Sequence, residues 1–250
     1  MLRESKANKV SKIVKSVREK KVKDPSTTVP FRVELRENQK QIIQRLKDNE
    51  LTVLIGNAGT AKDFMQLFRA VDGLVKKEFE KIIVCKPIVE IGRSMGFLPG
   101  DLNAKQEPYV KSFYDNLAKI VGKDRVAFIK PKIEFQAVNF LRGNTFDENS
   151  VIILSEAQNL TLHELMSFIT RLPESSKLFI NGDLDQSDIK DSGLYDFLEI
   201  LKDDEEIEII ELGDSFQMRR KLITRLTKKY NEYKKNKCSR SIKSSKLLDV

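Results

Sequence analysis

Short apolar runs of strand length recur along this chain, and most are followed by a stretch of helical length. The runs are Leu51-Thr52-Val53-Leu54-Ile55, Lys81-Ile82-Ile83-Val84-Cys85, Val151-Ile152-Ile153-Leu154, Lys177-Leu178-Phe179-Ile180 and Ile207-Glu208-Ile209-Ile210. A strand wetted on one face alternates apolar and polar residues, whereas a near-continuous run is buried on both faces. Helical periodicity fills the intervals: 37–48 with Ile42, Ile43 and Leu46, then about 62–78 with Phe64, Leu67, Phe68, Val71 and Val75. It returns around Val110, Phe113, Tyr114, Leu117 and Val121, and again around Leu162, Leu165, Met166 and Ile169. Further helices are expected near 193–201 and around Leu222, Ile223, Leu226 and Tyr230. The alternation predicts an α/β fold with a mostly parallel sheet flanked by helices on both faces. Ligands bind such sheets outside the carboxyl ends of the strands, so the residues just after each run carry the functional reading.

After the first run comes Gly56-Asn57-Ala58-Gly59-Thr60-Ala61-Lys62-Asp63, opening a helix. The phosphate-binding pattern G-x-x-x-x-G-K-[ST] sits in that context: small residues let backbone N–H groups curl around phosphate oxygens, and a lysine adds a full charge. Two positions depart from it. Ala61 stands where glycine is usual, and Asp63 where a hydroxyl should hold Mg²⁺. Val151-Ile152-Ile153-Leu154-Ser155-Glu156 reads as a Walker B strand, with Glu156 as base or orienting group for an attacking water and Ser155 in the place of the usual aspartate. In Asn181-Gly182-Asp183-Leu184-Asp185-Gln186, Asp183 and Gln186 can sense a γ-phosphate; an ordinary Asp/Gly-rich turn would look similar. Together these motifs predict a P-loop NTPase fold.

Charge is unevenly placed. Residues 1–30 and 228–250 each carry +6 of a net charge of +8, so the body between them carries −4. Basic ends favour a polyanion such as RNA or single-stranded DNA, and solubilising arms explain them equally well. Val10, Ile13, Val14 and Val17 give the first arm a short amphipathic helix, and Pro25 and Pro30 bracket a linker. The expected organisation is a basic arm over 1–30, a P-loop domain over 31–230 and a basic tail over 231–250. No stretch reaches the roughly 20 apolar residues that cross a bilayer, and Met1-Leu2-Arg3-Glu4-Ser5-Lys6 puts charges where a signal peptide is apolar. Cys85 and Cys238 lack metal or redox spacing, and the single histidine, His163, reads as an ordinary helix residue; no membrane and a cytoplasmic location are expected.

Several further runs carry a family resemblance. Lys86-Pro87-Ile88-Val89-Glu90-Ile91-Gly92 leads to Gly96-Phe97-Leu98-Pro99-Gly100-Asp101-Leu102; then come Glu107-Pro108-Tyr109, Arg142-Gly143-Asn144-Thr145 and Ser155-Glu156-Ala157-Gln158-Asn159. Thr170-Arg171-Leu172, Gly182-Asp183-Leu184-Asp185-Gln186-Ser187-Asp188 and Ser192-Gly193-Leu194 follow. Over about 36–230 the chain resembles the PhoH-like ATPases, and its Lys-rich, compact form suits a phage-encoded member. The resemblance implies a core similar to superfamily 1 helicases, ATP and Mg²⁺ as ligands, work coupled to RNA, and a homo-oligomer that can be a hexameric ring. It implies that Lys62 holds the β- and γ-phosphates, Glu156 positions water, Asp183 and Gln186 sense the γ-phosphate, and Asp63 and Ser155 handle the metal. An arginine from a neighbour, Arg142, Arg171 or Arg219, could complete the site; at Arg219 the family has Asp-x-x-Arg, but Phe216 stands at the aspartate position. Gln39 resembles a glutamine that reads adenine, and a solvated glutamine in a polar helix is the competing reading.

The departures at 61, 63 and 155 leave a second class open, a nucleotide-binding scaffold whose catalytic site has decayed. Retention of Lys62, Glu156, Asp183 and Gln186 speaks against it. A basic RNA-binding module without nucleotide would explain the arms and not the loop. The aspartate–hydroxyl exchange between positions 63 and 155 predicts a preserved pair, one carboxylate and one hydroxyl, with Asp63 the nearer metal ligand.

Overall fold

The computed structural model describes residues 31–88, 102–138, 145–220, 222–227, 229–230 and 232–233, with 102–108 as backbone alone. The basic arm over 1–30, the tail from residue 234 onward, the Gly-Phe-Leu-Pro-Gly run, Arg142 and Cys238 lie outside the described residues.

Among the described residues six strands form one sheet: β1 (Leu51–Gly56), β2 (Lys81–Lys86), β3 (Ile133–Ala137), β4 (Ser150–Leu154), β5 (Lys177–Gly182) and β6 (Ile207–Leu212). Their spatial order is β3-β2-β4-β5-β1-β6, and all five pairings are parallel. Among the described residues the helices that accompany them include α1 (Glu37–Asp48), α2 (Lys62–Val75), α3 (Leu102–Val121), α4 (Lys123–Ile129), α5 (Leu162–Ile169) and α6 (Leu194–Leu201). Residues 222–227 are helical as well, where the periodicity of Leu222, Ile223 and Leu226 predicts a helix.

Successive strand residues point to opposite faces, and the apolar runs feed two cores. Leu54, Val84, Ile153 and Phe179 pack against Met65, Leu67, Val71 and Leu117 on one face. Their neighbours Val53, Ile55, Ile83, Ile152, Leu154 and Ile180 pack against Leu165, Phe168, Leu194 and Phe197 on the other. Both faces of the sheet are therefore covered, as the continuous runs require. No helix among the described residues is long and apolar enough to cross a membrane.

Two features differ from the sequence reading. The α2 helix ends at Val75 rather than 78, because Lys77 turns left-handed (φ 63°) and the N–H of Glu78 returns to the carbonyl of Gly73 at 2.8 Å. Gly73 lets Phe79 fold back against the helix: a Cβ there would lie 2.4 Å from its ring. The edge strand β3 was not expected at all. Ile133-Glu134-Phe135-Gln136-Ala137 alternates apolar with polar and is only partly buried at the sheet edge, so it lacks the unbroken run that marks the inner strands.

With β5 between β1 and β4, and β4 beside β2, the carboxyl ends of these four strands lie side by side. Gly56, Gly182, Leu154 and Lys86 end them, and every motif of the sequence reading within the described residues that follows a strand opens onto this edge.

Candidate functional site

The loop between β1 and α2 is shaped by three small residues. Gly59 has φ +92°, and a Cβ on it would lie 2.8 Å from both Gln217 Oε1 and Arg219 Cδ. A Cβ on Gly56 would lie 2.8 Å from the carbonyl oxygen of Leu212. Ala61 enters α2 from the left-handed region (φ 63°, ψ 28°), where glycine would sit without strain. The turn is closed by Thr60 Oγ1, which donates to the carbonyl of Asn57 at 2.9 Å.

Lys62 folds back over this turn. Its ammonium donates to the carbonyl of Gly56 and, at 3.3 Å, to that of Asn57. Burial pushes the Lys62 pKa down from the ordinary lysine value, and the nearby carboxylates of Asp183, Asp63 and Glu156 pull it partly back. The loop also holds an anion: the N–H of Ala58 donates to Asp183 Oδ2 at 2.9 Å. A side-chain carboxylate thus takes a backbone donor of the kind that a phosphate oxygen would use.

Behind the loop a polar network runs from the buried Ser155, Asn181 and Gln66 out to Asp63, which is exposed. Ser155 Oγ donates to Asp63 Oδ1 at 2.8 Å, and Asn181 Nδ2 donates to the same oxygen at 2.9 Å. Asn181 Nδ2 also donates to Gln66 Oε1 at 2.7 Å, while Gln66 Nε2 reaches the carbonyl of Ile180 at 2.8 Å. The Tyr109 hydroxyl lies 3.2 Å from Ser155 Oγ, and burial raises its pKa above the ordinary tyrosine value. The exchanged residues at 63 and 155 are therefore in direct contact, carboxylate to hydroxyl. The second Asp63 oxygen, Oδ2, receives no hydrogen bond among the described residues.

Glu156 follows β4 in a left-handed conformation (φ 60°), a conformation rare for a residue with a side chain. Gln158 Nε2 donates to its Oε2 at 2.6 Å, and Lys86 Nζ lies 3.9 Å from its Oε1. Gln158 also ties this residue to the third motif, because its Oε1 accepts the N–H of Asp183 at 3.1 Å. Asn159 pairs with Asp188 through two hydrogen bonds of 3.2 and 2.8 Å, fastening the 183–188 turn.

A cavity of about 650 Å³ opens over the loop. Lys62, Asp63, Glu156, Asp183, Gln186 and Arg219 all line it, so the structure brings together the residues that the sequence placed on separate motifs. Ser155 stands one hydrogen bond behind Asp63. Gln39 lines the cavity too and is buried, not solvated; its Oε1 accepts the N–H of Arg36 at 3.0 Å. Arg219 belongs to its own chain's cavity: residues 217–219 drape over the loop, with Gln217 Nε2 on the carbonyl of Ala58 at 3.0 Å and the N–H of Met218 on that of Gly59 at 2.9 Å. It needs no neighbouring copy to reach the site. Arg171 does not line the cavity, and His163 is an exposed residue of α5.

In the sequence Tyr109, Gln158 and Asn181 stand in the motif runs without a role of their own, and Gln66 and Gln217 lie outside those runs. Asn181 carried a signal, a polar amide at the end of a buried apolar strand. The other four become visible only when distant segments meet.

A family described as PhoH-like protein matches residues 33–231 of the chain. The PhoH-like protein of Bacillus subtilis (strain 168) is 37% identical over 199 residues, which cover 78% of this chain and 62% of that protein. Protein PhoH of Escherichia coli (strain K12) is 34% identical over 202 residues, covering 78% and 57%. The chain therefore matches less than two thirds of the length of either relative. Among solved structures, the large terminase from a thermophilic bacteriophage is similar with a TM-score of 0.50 at 11% identity, over 79% of this chain and 50% of the terminase, a likeness of fold alone.

Proposed function

The chain belongs to the PhoH-like protein family, and from that membership and the geometry of the cavity we propose that it is a nucleotide-binding ATPase of the P-loop type. The observation that carries the reading is the convergence of Lys62, Glu156, Asp183, Gln186 and Arg219 on one cavity above the β1–α2 loop. Its volume suits a bound nucleotide.

The triphosphate displaces two internal substitutes. Lys62 leaves the carbonyls of Gly56 and Asn57 for the β- and γ-phosphates, and Asp183 yields the Ala58 N–H to a phosphate oxygen. Asp183 and Gln186 then face the γ-phosphate. Glu156 accepts the proton of a water whose oxygen bonds to the γ-phosphorus as the bridging P–O bond to ADP breaks. Arg219 offsets the charge that spreads over the transferring group. Gln39 keeps its Nε2 free of acceptors among the described residues and offers that donor to adenine.

The residues fit a Mg²⁺ ion. Asp63 has one oxygen held by two donors and one left over, a carboxylate of the kind that Mg²⁺ shares with phosphates and water. No cluster of three acidic, histidine or cysteine ligands exists among the described residues, which suits an ion held jointly with substrate rather than in a protein cage. When bound, the ion neutralises charge on the β- and γ-phosphates.

We further propose that the basic ends, +6 each, engage RNA or single-stranded DNA, and that copies of the chain associate, with a hexameric ring the expected assembly. One assay tests the reading: steady-state ATP turnover with and without Mg²⁺ and with and without RNA. Turnover is expected to require Mg²⁺, to be lost in Glu156→Gln and to rise with RNA. ATP binding without turnover would select the decayed-site scaffold instead, and absence of ATP binding would end the nucleotide reading.

A further inference from the structure

The network behind the loop has a direction, and that direction follows from counting hydrogens. A carboxylate only accepts, so the single Ser155 proton must point to Asp63 Oδ1, 2.8 Å away. Ser155 Oγ is then left as an acceptor. Two groups approach it, Tyr109 OH at 3.2 Å and Asn181 Nδ2 at 3.3 Å. The two hydrogens of Asn181 Nδ2 already have nearer acceptors, Gln66 Oε1 at 2.7 Å and Asp63 Oδ1 at 2.9 Å. Tyr109 is therefore the donor to Ser155 among the described residues, and the relay runs from Tyr109 through Ser155 to Asp63.

The tyrosine is itself held. Its ring meets Phe135 of β3 edge-on with centroids 6.2 Å apart, and Lys86 Nζ lies 4.4 Å from the ring centroid. Lys86 ends β2 beside β4, where the N–H of Ser155 bonds the carbonyl of Cys85 at 2.9 Å, so ring and serine sit on one rigid edge. On the far side Asn181 is fixed by Gln66. Asp63 is thus clamped at Oδ1 from two directions, with Oδ2 left without a hydrogen bond among the described residues, on a side chain that lines the cavity.

We propose that Tyr109 is a positioning residue for the cation: acting through Ser155, its hydroxyl fixes the rotation of Asp63 so that Oδ2 is the oxygen offered to Mg²⁺. The inference rests on the nucleotide-site reading above. It assigns Ser155 to orientation and Asp63 to ligation, and it explains why a hydroxyl at 155 serves where a carboxylate is usual. A hydroxyl can accept from Tyr109 while donating to Asp63, whereas a carboxylate at 155 would face Asp63 as a like charge.

The test uses the full chain, ADP and Mn²⁺ as a spectroscopic substitute for Mg²⁺. Electron paramagnetic resonance gives the Mn²⁺ affinity of the ADP complex, and fluorescence titration with methylanthraniloyl-ADP in EDTA gives the metal-free nucleotide affinity. Tyr109→Phe keeps the ring against Phe135 and Lys86. It is expected to weaken Mn²⁺ binding about five-fold, the scale of one lost hydrogen bond, and to leave the metal-free ADP affinity unchanged. In an Asp63→Asn background the same change is expected to have no further effect on Mn²⁺, because its target is gone. Unchanged Mn²⁺ affinity, a loss of about five-fold that persists in Asp63→Asn, or an equal loss of metal-free ADP affinity would each overturn the proposal while leaving the nucleotide site standing. A wild-type chain that binds no ADP under either condition would overturn both.

Discussion

The two ends of the sheet hold polar side chains in opposite ways. Towards the amino ends of the strands, Arg69 of α2 is 1% exposed and pairs with Glu78, nine residues on. Its guanidinium carbon lies 5.4 Å from the centre of the Phe79 ring, while Nε and Nη1 find no partner among the described residues. That charge is held within one short stretch of chain and faces protein. At the carboxyl ends, Tyr109, Asp63, Ser155, Asn181 and Gln66 come from α3, α2, the residue after β4, and β5, and the side-chain hydrogens of Ser155 and Asn181 all find acceptors. One carboxylate oxygen is left, beside a cavity. A buried charge alone marks a brace. Groups from separated segments that converge on open space mark a site.

The largest expected separation between the two ends comes from Lys62→Met. Removing the ammonium from the loop should cut ATP affinity by at least about 100-fold, the scale of a lost charge-assisted contact. The fold should persist, because burial already disfavours that charge; calorimetric titration and a thermal melt check both halves. Arg69→Met should do the reverse. It should lower unfolding free energy by about 2–3 kcal/mol, since it leaves Glu78 unpaired and the Phe79 face unsupported, with ATP affinity unchanged in the folded protein. Loss of nucleotide binding in Arg69→Met would break the contrast between the two ends.

Much of this division was legible in the chain. Continuous apolar runs announced a sheet covered on both faces, and Gly56 to Lys62, Glu156 and Asp183 were each read at a strand end. The Asp63–Ser155 exchange was legible as a pair because each residue type stood in the other's usual place. What sequence could not show was the contact set. Tyr109 reaches Ser155 only because α3 packs along β2 and β3, and β3 itself was hidden by its alternating, half-exposed pattern. Gln39 reads as a polar helix position, yet it is buried in the cavity wall with its Oε1 taken by the N–H of Arg36. The brace at Arg69 gave no local sign either, because its burial depends on Phe79 folding back across Gly73.

A smaller effect concerns pH and has opposite signs for folding and binding. Burial lowers the Lys62 pKa below its ordinary 10.5. Below the lowered value folded and unfolded chains both carry the proton. Between that value and 10.5 only the unfolded chain does, so Lys62 makes stability without nucleotide rise with pH across this interval. ATP affinity should fall across the same interval as the ammonium is lost. Subtracting the Lys62→Met stability profile from that of the wild type isolates the term, and a difference that does not rise with pH would contradict it. The smallest effect is expected from Ala61→Gly. Relief of the left-handed backbone at φ 63° should raise stability by about 0.5–1 kcal/mol, measured by denaturant unfolding.

The central claim is that the exchange at positions 63 and 155 preserves a working carboxylate–hydroxyl pair, now seen as a 2.8 Å hydrogen bond beside the loop. Mg²⁺-dependent ATP turnover across a swap series tests it most directly. Asp63→Thr alone removes the carboxylate of the pair and should lower turnover, and adding Ser155→Asp should restore it. Turnover that rises in the single Asp63→Thr variant would contradict the account, because Asp63 would then obstruct the site instead of serving it.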